Sequence, residues 1–153
     1  VGTRGSQIDA IARYYLWKKG LDYNHGTGHG VGSFLGVHEG PQSISKRIDK
    51  DELKEGMILS NEPGFYRNNK YGIRIENLIL VIKSKFKGFL EFETLTLFPY
   101  ERDLIDINEL TVAQIKWVNN YHSKVYKSLK KGLEVDERKW LKKNTQEFKI
   151  KVK

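Results

Sequence analysis

Apolar residues near the start of the chain recur with the period of an α-helix. Within residues 6–20 they fall three or four positions apart, at Ile8, Ile11, Ala12, Tyr15 and Leu16. This spacing places them on one face of a helix. Ser6 with Asp9 three positions later is typical of a helix start, and Gly20 after two lysines is typical of a helix end. The pattern predicts an amphipathic helix over residues 6–20.

The next segment has a different character. Six glycines fall between Gly26 and Gly40, interleaved with apolar residues. This density disfavours a helix, because each glycine in a helix interior costs about 1 kcal/mol relative to alanine. We expect residues 24–40 to be irregular and extended, with backbone that comes close to another group.

Alternating patterns further along the chain predict three strands. They cover Met57–Tyr66, which Pro63 interrupts, Tyr71–Lys83 after a turn at Asn68-Asn69, and Phe89–Pro99. Because successive side chains of a strand point to opposite sides, the second strand has two distinct faces. One face carries Arg74, Glu76, Leu78 and Leu80, and the other carries Ile73, Ile75, Asn77 and Ile79.

The last third of the sequence is predicted to be helical. Thr111 and Gln114 form a capping-box pattern ahead of an apolar stripe that ends near Gly132. The stripe comprises Ile115, Val118, Val125 and Leu129. A shorter helix is expected over residues 136–143. A helix, then mixed strands, then helices indicate an α+β protein.

The amino-acid composition limits which classes of function the chain can have. The 153 residues include 39% hydrophobic and 30% charged residues, which is typical of a globular domain with a buried core. No apolar run approaches the roughly 20 residues of a membrane helix. The absence of cysteine excludes disulfides and thiolate metal sites, and it agrees with a cytoplasmic setting. The net charge of +8 comes from scattered lysines without a nucleic-acid-binding signature, so we expect neither nucleic acid nor membrane as a partner.

Three stretches carry residues capable of metal chemistry. They are His25-Gly-Thr-Gly-His29-Gly-Val-Gly, Asn61-Glu62-Pro63-Gly64 and Gly72-Ile-Arg74-Ile-Glu76-Asn77. One imidazole and two carboxylates on separate segments form a donor set that suits Mn²⁺ or a similar ion. A second ion would need further carboxylates, and two ions together activate water and polarise a carbonyl group.

Each of these residues also has a purely structural interpretation. The glycines between His25 and His29 exclude the helical histidine pair of H-E-x-x-H zinc enzymes, and a histidine in such a loop can be structural. Glu62 alone could belong to a turn. Glu76 on a buried face would need a partner, because an unpaired buried charge is costly, and Arg74 could supply it. Only the three stretches together favour a metal site.

The long motif resembles Xaa-Pro aminopeptidase, also called aminopeptidase P, in the pita-bread metallopeptidase family. The resemblance rests on three stretches, which run from His25 to Pro41, from Ser60 to Tyr66 and from Tyr71 to Asn77. The segment from Leu97 to Asp106 resembles the C-terminal end of the longer, multidomain members. Prolidase and creatinase relatives share the metal ligands, but the first stretch and the aromatic tail favour aminopeptidase P.

The resemblance implies both a fold and an activity. Residues 1–100 would form the second half of an α+β pita-bread (creatinase/aminopeptidase-like) fold, and residues 101–153 a helical C-terminal extension packed on it. The implied activity removes an N-terminal residue that precedes proline, by means of water activated at two divalent metal ions. We expect Mn²⁺ as the metal and a peptide with proline at its second position as the substrate.

The resemblance also implies roles for individual residues. The positions that match metal ligands are His29, Glu62 and Glu76. The positions that match catalytic or pocket residues are Glu62, His25, His38 and Arg74. Among these, Glu62 matches the general base and Glu76 the ligand that bridges both ions, with Arg74 beside it.

Two aspartate ligands and a further pocket histidine of the family match no residue of this sequence. Asp9 belongs to the predicted helix start and Asp22 to the loop after that helix. We therefore expect the missing ligands in an upstream half of the same enzyme. The expected partners are this upstream half, the peptide substrate and a second copy of the chain in a homodimer. Three ligands hold at most one ion weakly, so we expect the chain to be inactive on its own.

Two other functions remain open at this point. Some pita-bread proteins have lost the metal and bind peptides or basic proteins, and the chain could be such a non-catalytic interaction module. It could also be the remnant of a split gene. The presence of His29, Glu62 and Glu76 argues against the interaction module, because a binding module does not need them.

Overall fold

The computed structural model describes residues 1–34, 36–48 and 50–150. The chain divides into two compact units, the first from Val1 to Thr96 and the second from Leu97 onward. The first unit contains one α-helix and the β-strands, and the second contains helices. The domain division after residue 100 and the packing of the extension on the first domain stay predictions.

The first helix, α1 (Gly5–Trp17), turns a different face inward from the one predicted. It buries Asp9 and Arg13, whereas Ile11 and Tyr15 are 70% and 61% exposed. A salt bridge of 2.7 Å between the Asp9 and Arg13 side chains gives both buried charges a partner. The helix itself is thus confirmed, but its most deeply buried side is polar. Of the predicted apolar face, Ile8 packs against the core, whereas Ile11 and Tyr15 are exposed.

The ends of α1 also differ in detail from the prediction. The N-cap is Arg4, whose backbone N–H donates to Gln7 Oε1 at 2.7 Å, and Ser6 already lies inside the helix. The last helical residue is Trp17, and Gly20 follows with a positive φ of 68°. The predicted cap at Ser6 is therefore wrong, while Gly20 does end the turn that follows the helix.

The first unit is organised around short antiparallel strands. These are β1 (Gly28–His29), β2 (Ser43–Ile44), β3 (Ile58–Asn61), β4 (Gly64–Arg67), β5 (Tyr71–Arg74), β6 (Asn77–Lys83) and β7 (Leu90–Thr94). β3, β6 and β7 form a sheet in that order, β1 pairs with β2, and β4 pairs with β5. A bridge between Gly30 and Leu59 links the end of β1 to β3. The apolar core against this sheet comprises Ile44, Leu53, Leu59, Ile79 and Val81.

One antiparallel hairpin runs through β3 and β4 on one side and β5 and β6 on the other. The pairs that flank its central break are Asn61 with Asn77 and Gly64 with Arg74, all in one register. At the break, Pro63 has no N–H to give to the ladder, and its carbonyl oxygen accepts from the N–H of Ile75 at 3.3 Å. The two predicted strands are thus confirmed as the sides of this hairpin, and each is interrupted opposite the other.

Gly28 brings β1 into close contact with β3. A Cβ atom at this position would lie 2.0 Å from the backbone oxygen of Ser60. No side chain fits in that space, so the approach of the two strands requires glycine. The close backbone approach predicted for the glycine-rich segment is therefore confirmed at this position.

The second unit contains two α-helices after two short 3₁₀ turns at Arg102–Leu104 and Ile107–Glu109. The helices are α2 (Val112–Leu129) and α3 (Val135–Asn144). The predicted capping box at the start of α2 is confirmed, since Thr111 N–H donates to Gln114 Oε1 at 2.8 Å. The buried residues of α2 are Ile115, Val118, Tyr121, His122 and Val125.

His122 is a buried histidine in the middle of α2. Its Nε2 accepts a hydrogen bond from the backbone N–H of Tyr100 at 3.1 Å, and its Nδ1 has no hydrogen-bond partner among the residues that the structure describes. An acceptor Nε2 means that the ring is neutral with the proton on Nδ1. Burial, and to a lesser extent the charge of Arg102, lowers the pKa of His122.

We expect the second unit to lose stability as the pH falls below about 6.5, the ordinary pKa of an unfolded histidine. The lowered pKa of His122 in the folded state means that the unfolded chain binds a proton that the folded chain does not, so stability rises with pH across this window. Urea unfolding followed by tryptophan fluorescence at several pH values measures the effect.

The matched variant for this test is His122→Gln, whose side-chain oxygen can still accept from Tyr100 but does not titrate. We expect this variant to show a flatter pH dependence than the original chain between about pH 5 and 7. An unchanged slope would mean that other groups cause the acid sensitivity.

Candidate active site

A cavity of about 270 Å³ gathers most of the residues that the sequence singled out. It is lined by His25, Gly26, Gly28, His29, His38, Glu62 and Arg74. The glycine-rich segment supplies the three histidines, and the hairpin supplies Glu62 and Arg74. Among the predicted site residues, only Glu76 is absent from the lining.

Glu62 is the most tightly held residue of the cavity. Its side chain accepts hydrogen bonds from Ser60 Oγ at 3.0 Å and from Arg74 Nη1 at 2.8 Å. Its backbone N–H donates to the carbonyl oxygen of Thr27 at 2.7 Å. The residue is only 8% exposed, so a fixed orientation of the carboxylate follows from these contacts.

His29 faces the same carboxylate. Its Nδ1 lies 2.9 Å from the carbonyl oxygen of Gly30, which can only accept, so this nitrogen carries a proton. Its Nε2 lies 3.1 Å from Glu62 Oε1. An imidazole nitrogen and a carboxylate oxygen this close together can both be ligands of one divalent cation.

Ser60 connects the two candidate ligands and was not identified from the sequence. Its hydroxyl oxygen accepts from the backbone N–H of His29 at 3.0 Å, and the same hydroxyl donates to Glu62 Oε1 at 3.0 Å. The side chain is buried. Because a serine on a strand carries no pattern of its own, no feature of the sequence alone assigns this role.

Tyr66 is a second residue that sequence reasoning did not single out. Its hydroxyl lies 2.6 Å from His25 Nε2, and Arg74 donates to it from Nε at 3.1 Å and from Nη2 at 3.0 Å. The hydroxyl hydrogen bond, together with weaker charge effects, raises the pKa of Arg74. The only sequence signal for Tyr66 was its place at the end of the stretch from Ser60 to Tyr66.

The contacts of His25 fix its tautomer. Its Nδ1 lies 2.8 Å from the carbonyl oxygen of Gly26, so this nitrogen donates and Nε2 accepts the hydroxyl proton of Tyr66. The Tyr66 oxygen in turn accepts from Arg74. A continuous chain of hydrogen bonds therefore runs from His25 through Tyr66 and Arg74 to Glu62.

His38 lies on the other side of His29. The two ring centroids are 4.3 Å apart with an interplanar angle of 81°, an edge-to-face contact. His38 is exposed, and the backbone beside it is held by the N–H of Glu39, which donates to the carbonyl oxygen of Gly30 at 3.0 Å. An exposed imidazole at the cavity rim can form hydrogen bonds with a bound molecule.

Glu76 stands across the hairpin from Glu62. The register places both between the Asn61–Asn77 pair and the hydrogen bond that joins Pro63 and Ile75. Glu76 is exposed, so the buried ion pair with Arg74 considered from the sequence does not form, and Arg74 pairs with Glu62 instead. The charge of Glu76 still contributes to the raised pKa of Arg74.

The donor atoms fit a divalent cation in their chemistry, since imidazole nitrogen and carboxylate oxygen are ligands of Mn²⁺ and related ions. The convergence is partial: residues 1–34, 36–48 and 50–150 contain no group of three such side chains close enough to hold a metal ion. His29 and Glu62 are the two candidate donors that the fold brings within 3.1 Å of each other.

Comparison with known families identifies the chain. The family model described as "Metallopeptidase family M24" matches residues 1–83. A second model, described as "C-terminal region of peptidase_M24", matches residues 88–148. The chain belongs to the M24 metallopeptidase family, and the resemblance to Xaa-Pro aminopeptidase found in the sequence is confirmed.

Relatives of known sequence carry that name. A protein of Coprinopsis cinerea named "Probable Xaa-Pro aminopeptidase P" is 50% identical over 94% of this chain. One of Arthroderma gypseum with the same name is 50% identical over 95% of it. The chain covers 25% and 24% of these two proteins, so it spans about a quarter of the length of the relatives it matches.

Solved structures support the predicted fold. An X-prolyl aminopeptidase from Caenorhabditis elegans, described as a cytosolic enzyme with a di-nuclear active site, superimposes with a TM-score of 0.89 and 42% identity, over 96% of this chain and 25% of that one. A prolidase from Pyrococcus horikoshii gives a TM-score of 0.54 and 39% identity over 68% of this chain and 27% of its own. The α+β fold expected for half of a pita-bread domain is confirmed.

The structure also bears on membrane association. Among the helices of the described residues, none is both long enough and apolar enough to cross a bilayer.

We expect Ser60→Ala to destabilise the first unit by about 1–3 kcal/mol, because it removes the acceptor of the His29 backbone N–H and one of the hydrogen bonds to the buried Glu62 carboxylate. Urea unfolding measures the change. The matched control is Ser84→Ala, which removes a single exposed bond of 3.4 Å from Phe86 N–H and should cost less than about 0.5 kcal/mol. Equal costs for the two variants would contradict the role assigned to Ser60.

Proposed function

We propose that this chain is the C-terminal catalytic half of a metal-dependent aminopeptidase that removes an N-terminal residue preceding proline. The observation that carries the proposal is the approach of His29 Nε2 to Glu62 Oε1 at 3.1 Å, inside a cavity that His25, His38 and Arg74 also line. The M24 family match and the names of the relatives support the reaction class.

Two divalent ions, which we propose to be Mn²⁺, belong to this activity. His29, Glu62 and Glu76 would hold them, and further ligands would come from an upstream half, where we place the family's two aspartates. When bound, such ions supply Lewis-acid activation of water and of the scissile carbonyl. The description of the Caenorhabditis elegans enzyme as di-nuclear supports the number of ions.

The chain's own residues position and transfer protons. Glu62 lines the cavity, and its Oε1 is the atom that we propose takes the proton of the attacking water. Arg74 holds the other oxygen, Oε2, at 2.8 Å and so fixes the carboxylate. His25 and His38 stand where they can hydrogen-bond the peptide, and Tyr66 sets the tautomer of His25.

The proposed partners follow from the same argument. They are a peptide with proline at its second position and an upstream half of the enzyme, and we retain a homodimer as a further proposal. The outward apolar face of α1, with Ile11 and Tyr15 exposed, is a surface that the upstream half would cover. We propose a cytoplasmic location, which the description of the Caenorhabditis elegans relative as cytosolic supports.

We expect the chain alone to hydrolyse Xaa-Pro peptides at a negligible rate in the presence of Mn²⁺, because only two candidate ligands converge among the described residues. A peptidase assay on the purified chain measures this rate. Addition of an upstream polypeptide that carries the aspartates should restore turnover. Turnover by the chain alone at the rate of an intact family enzyme would contradict the incomplete site.

A metal titration separates the enzyme from a metal-independent interaction module. Calorimetry should detect weak Mn²⁺ binding. We expect His29→Gln or Glu62→Gln to lower the affinity more than about 10-fold, because loss of a metal ligand should cost more than loss of a residue that only contacts a ligand. The matched control is Glu55→Gln, an exposed glutamate that pairs with Lys83 at 3.1 Å. No binding, or equal weakening by the control, would favour the interaction module.

A further inference from the structure

A buried polar cluster lies directly behind the segment that carries His25. Its centre is the Arg13 side chain of α1, which is 1% exposed. Arg13 Nε donates to Asp9 Oδ2 at 2.7 Å, and Nη1 donates to Asp22 Oδ1 at 2.8 Å. The guanidinium carbon lies 3.9 Å from the centre of the Tyr23 ring. Every side of this charge is therefore in contact with a partner.

Two of the Arg13 hydrogen bonds reach the backbone of the segment before β1. Nη1 donates to the carbonyl oxygen of Tyr23 at 2.6 Å, and Nη2 donates to the carbonyl oxygen of His25 at 2.8 Å. This segment has no regular secondary structure, so its carbonyl groups need partners from elsewhere. Arg13 supplies them and thereby fixes the backbone on both sides of residue 24.

The cluster extends to the backbone of Glu62 through Thr27. The Thr27 hydroxyl donates to Asp9 Oδ1 at 2.6 Å and lies 2.6 Å from the hydroxyl of Tyr23. The carbonyl oxygen of Thr27 accepts from the N–H of Glu62 at 2.7 Å. The helix is thus connected to two cavity residues, to His25 directly and to Glu62 by one intervening residue.

The charges of the cluster favour a permanently protonated guanidinium. Burial alone would lower the pKa of Arg13, but the hydrogen bonds to Asp9 and Asp22, together with the charges of Tyr23 and Asp9, outweigh it and raise that pKa. The hydrogen bond from Lys46 is the main cause that lowers the pKa of Asp22. A planar fork with several donors is what two carboxylates and two carbonyls require, and lysine offers only a point charge.

We propose that Arg13 is a positioning residue of the candidate active site, which holds the backbone of His25 so that its imidazole meets Tyr66. The catalytic meaning of this inference rests on the proposed function, whereas its test does not depend on that function. Arg13 is not itself one of the residues that line the cavity, and it acts through the carbonyl oxygens of Tyr23 and His25. Asp9 and Asp22 orient the guanidinium by accepting from Nε and Nη1.

The test follows the imidazole of His25 in the folded chain by long-range ¹H–¹⁵N spectra, which distinguish a protonated from an unprotonated ring nitrogen. The original chain should show a protonated Nδ1 and an acceptor Nε2, as its contacts with Gly26 and Tyr66 require. In Arg13→Lys we expect these two signals to shift toward each other, because the ring exchanges between tautomers once its backbone is released. The spectra need neither metal nor substrate, so they remain decisive if the peptidase proposal fails.

A second variant covers the case in which Arg13→Lys does not fold. Asp22→Ala removes a partly exposed partner of Arg13 and should shift the His25 signals in the same direction by a smaller amount. The matched controls lie in α3 of the second unit, Arg138→Lys and Asp136→Ala, whose exposed side chains contact Leu133 O and Lys139. Neither control should move the His25 signals.

The outcomes are distinct. A shift in Arg13→Lys or Asp22→Ala, absent in both controls, supports the positioning role. Unchanged His25 signals in every folded variant, with only a lower melting temperature, would show that Arg13 stabilises the fold and does not position the site. Shifts of equal size in the controls would overturn the proposal as well.

Discussion

The antiparallel register of the central hairpin is the constraint on which the candidate site depends. One register joins β3 with β6 and β4 with β5, and the break between them falls at residues 62–63 and 75–76. Glu62 stands at this break, where its backbone N–H is free of the ladder and binds Thr27 instead. A shift of the register by one residue would turn every side chain of the hairpin to the opposite face.

The sequence predicted the elements of this arrangement well. Local sequence signals predicted the two sides of the hairpin, the irregular glycine-rich segment and the capped helix α2. These signals are strand alternation, glycine density and the capping box, in that order. The cavity also brings His25 and His29 together with Glu62, which the sequence placed on a separate segment. Their convergence depends on pairing between distant strands, so only the resemblance to a known family indicated it.

The buried polar side of α1 shows where local patterns fail. Periodicity identified a helix but assumed that its apolar side faces inward, whereas Asp9 and Arg13 are the buried residues. Their burial is favourable only because each finds partners on other segments, in Asp22 and Thr27. Such partners cannot be read from a helical repeat. Ser60 and Tyr66 escaped notice for the same reason, since their roles arise from contacts across the fold.

The contact of Gly28 with Ser60 has a consequence for how this site can change over evolution. Main chain meets main chain at this point, since a Cβ atom on Gly28 would lie 2.0 Å from the backbone oxygen of Ser60. The separation of the strand that leads to His29 from the strand that leads to Glu62 is therefore set here by peptide geometry and not by the size of a core residue. Neighbouring apolar residues can therefore be replaced by larger or smaller ones while that separation stays the same. Ordinary repacking of the core should leave the two strands at the same distance.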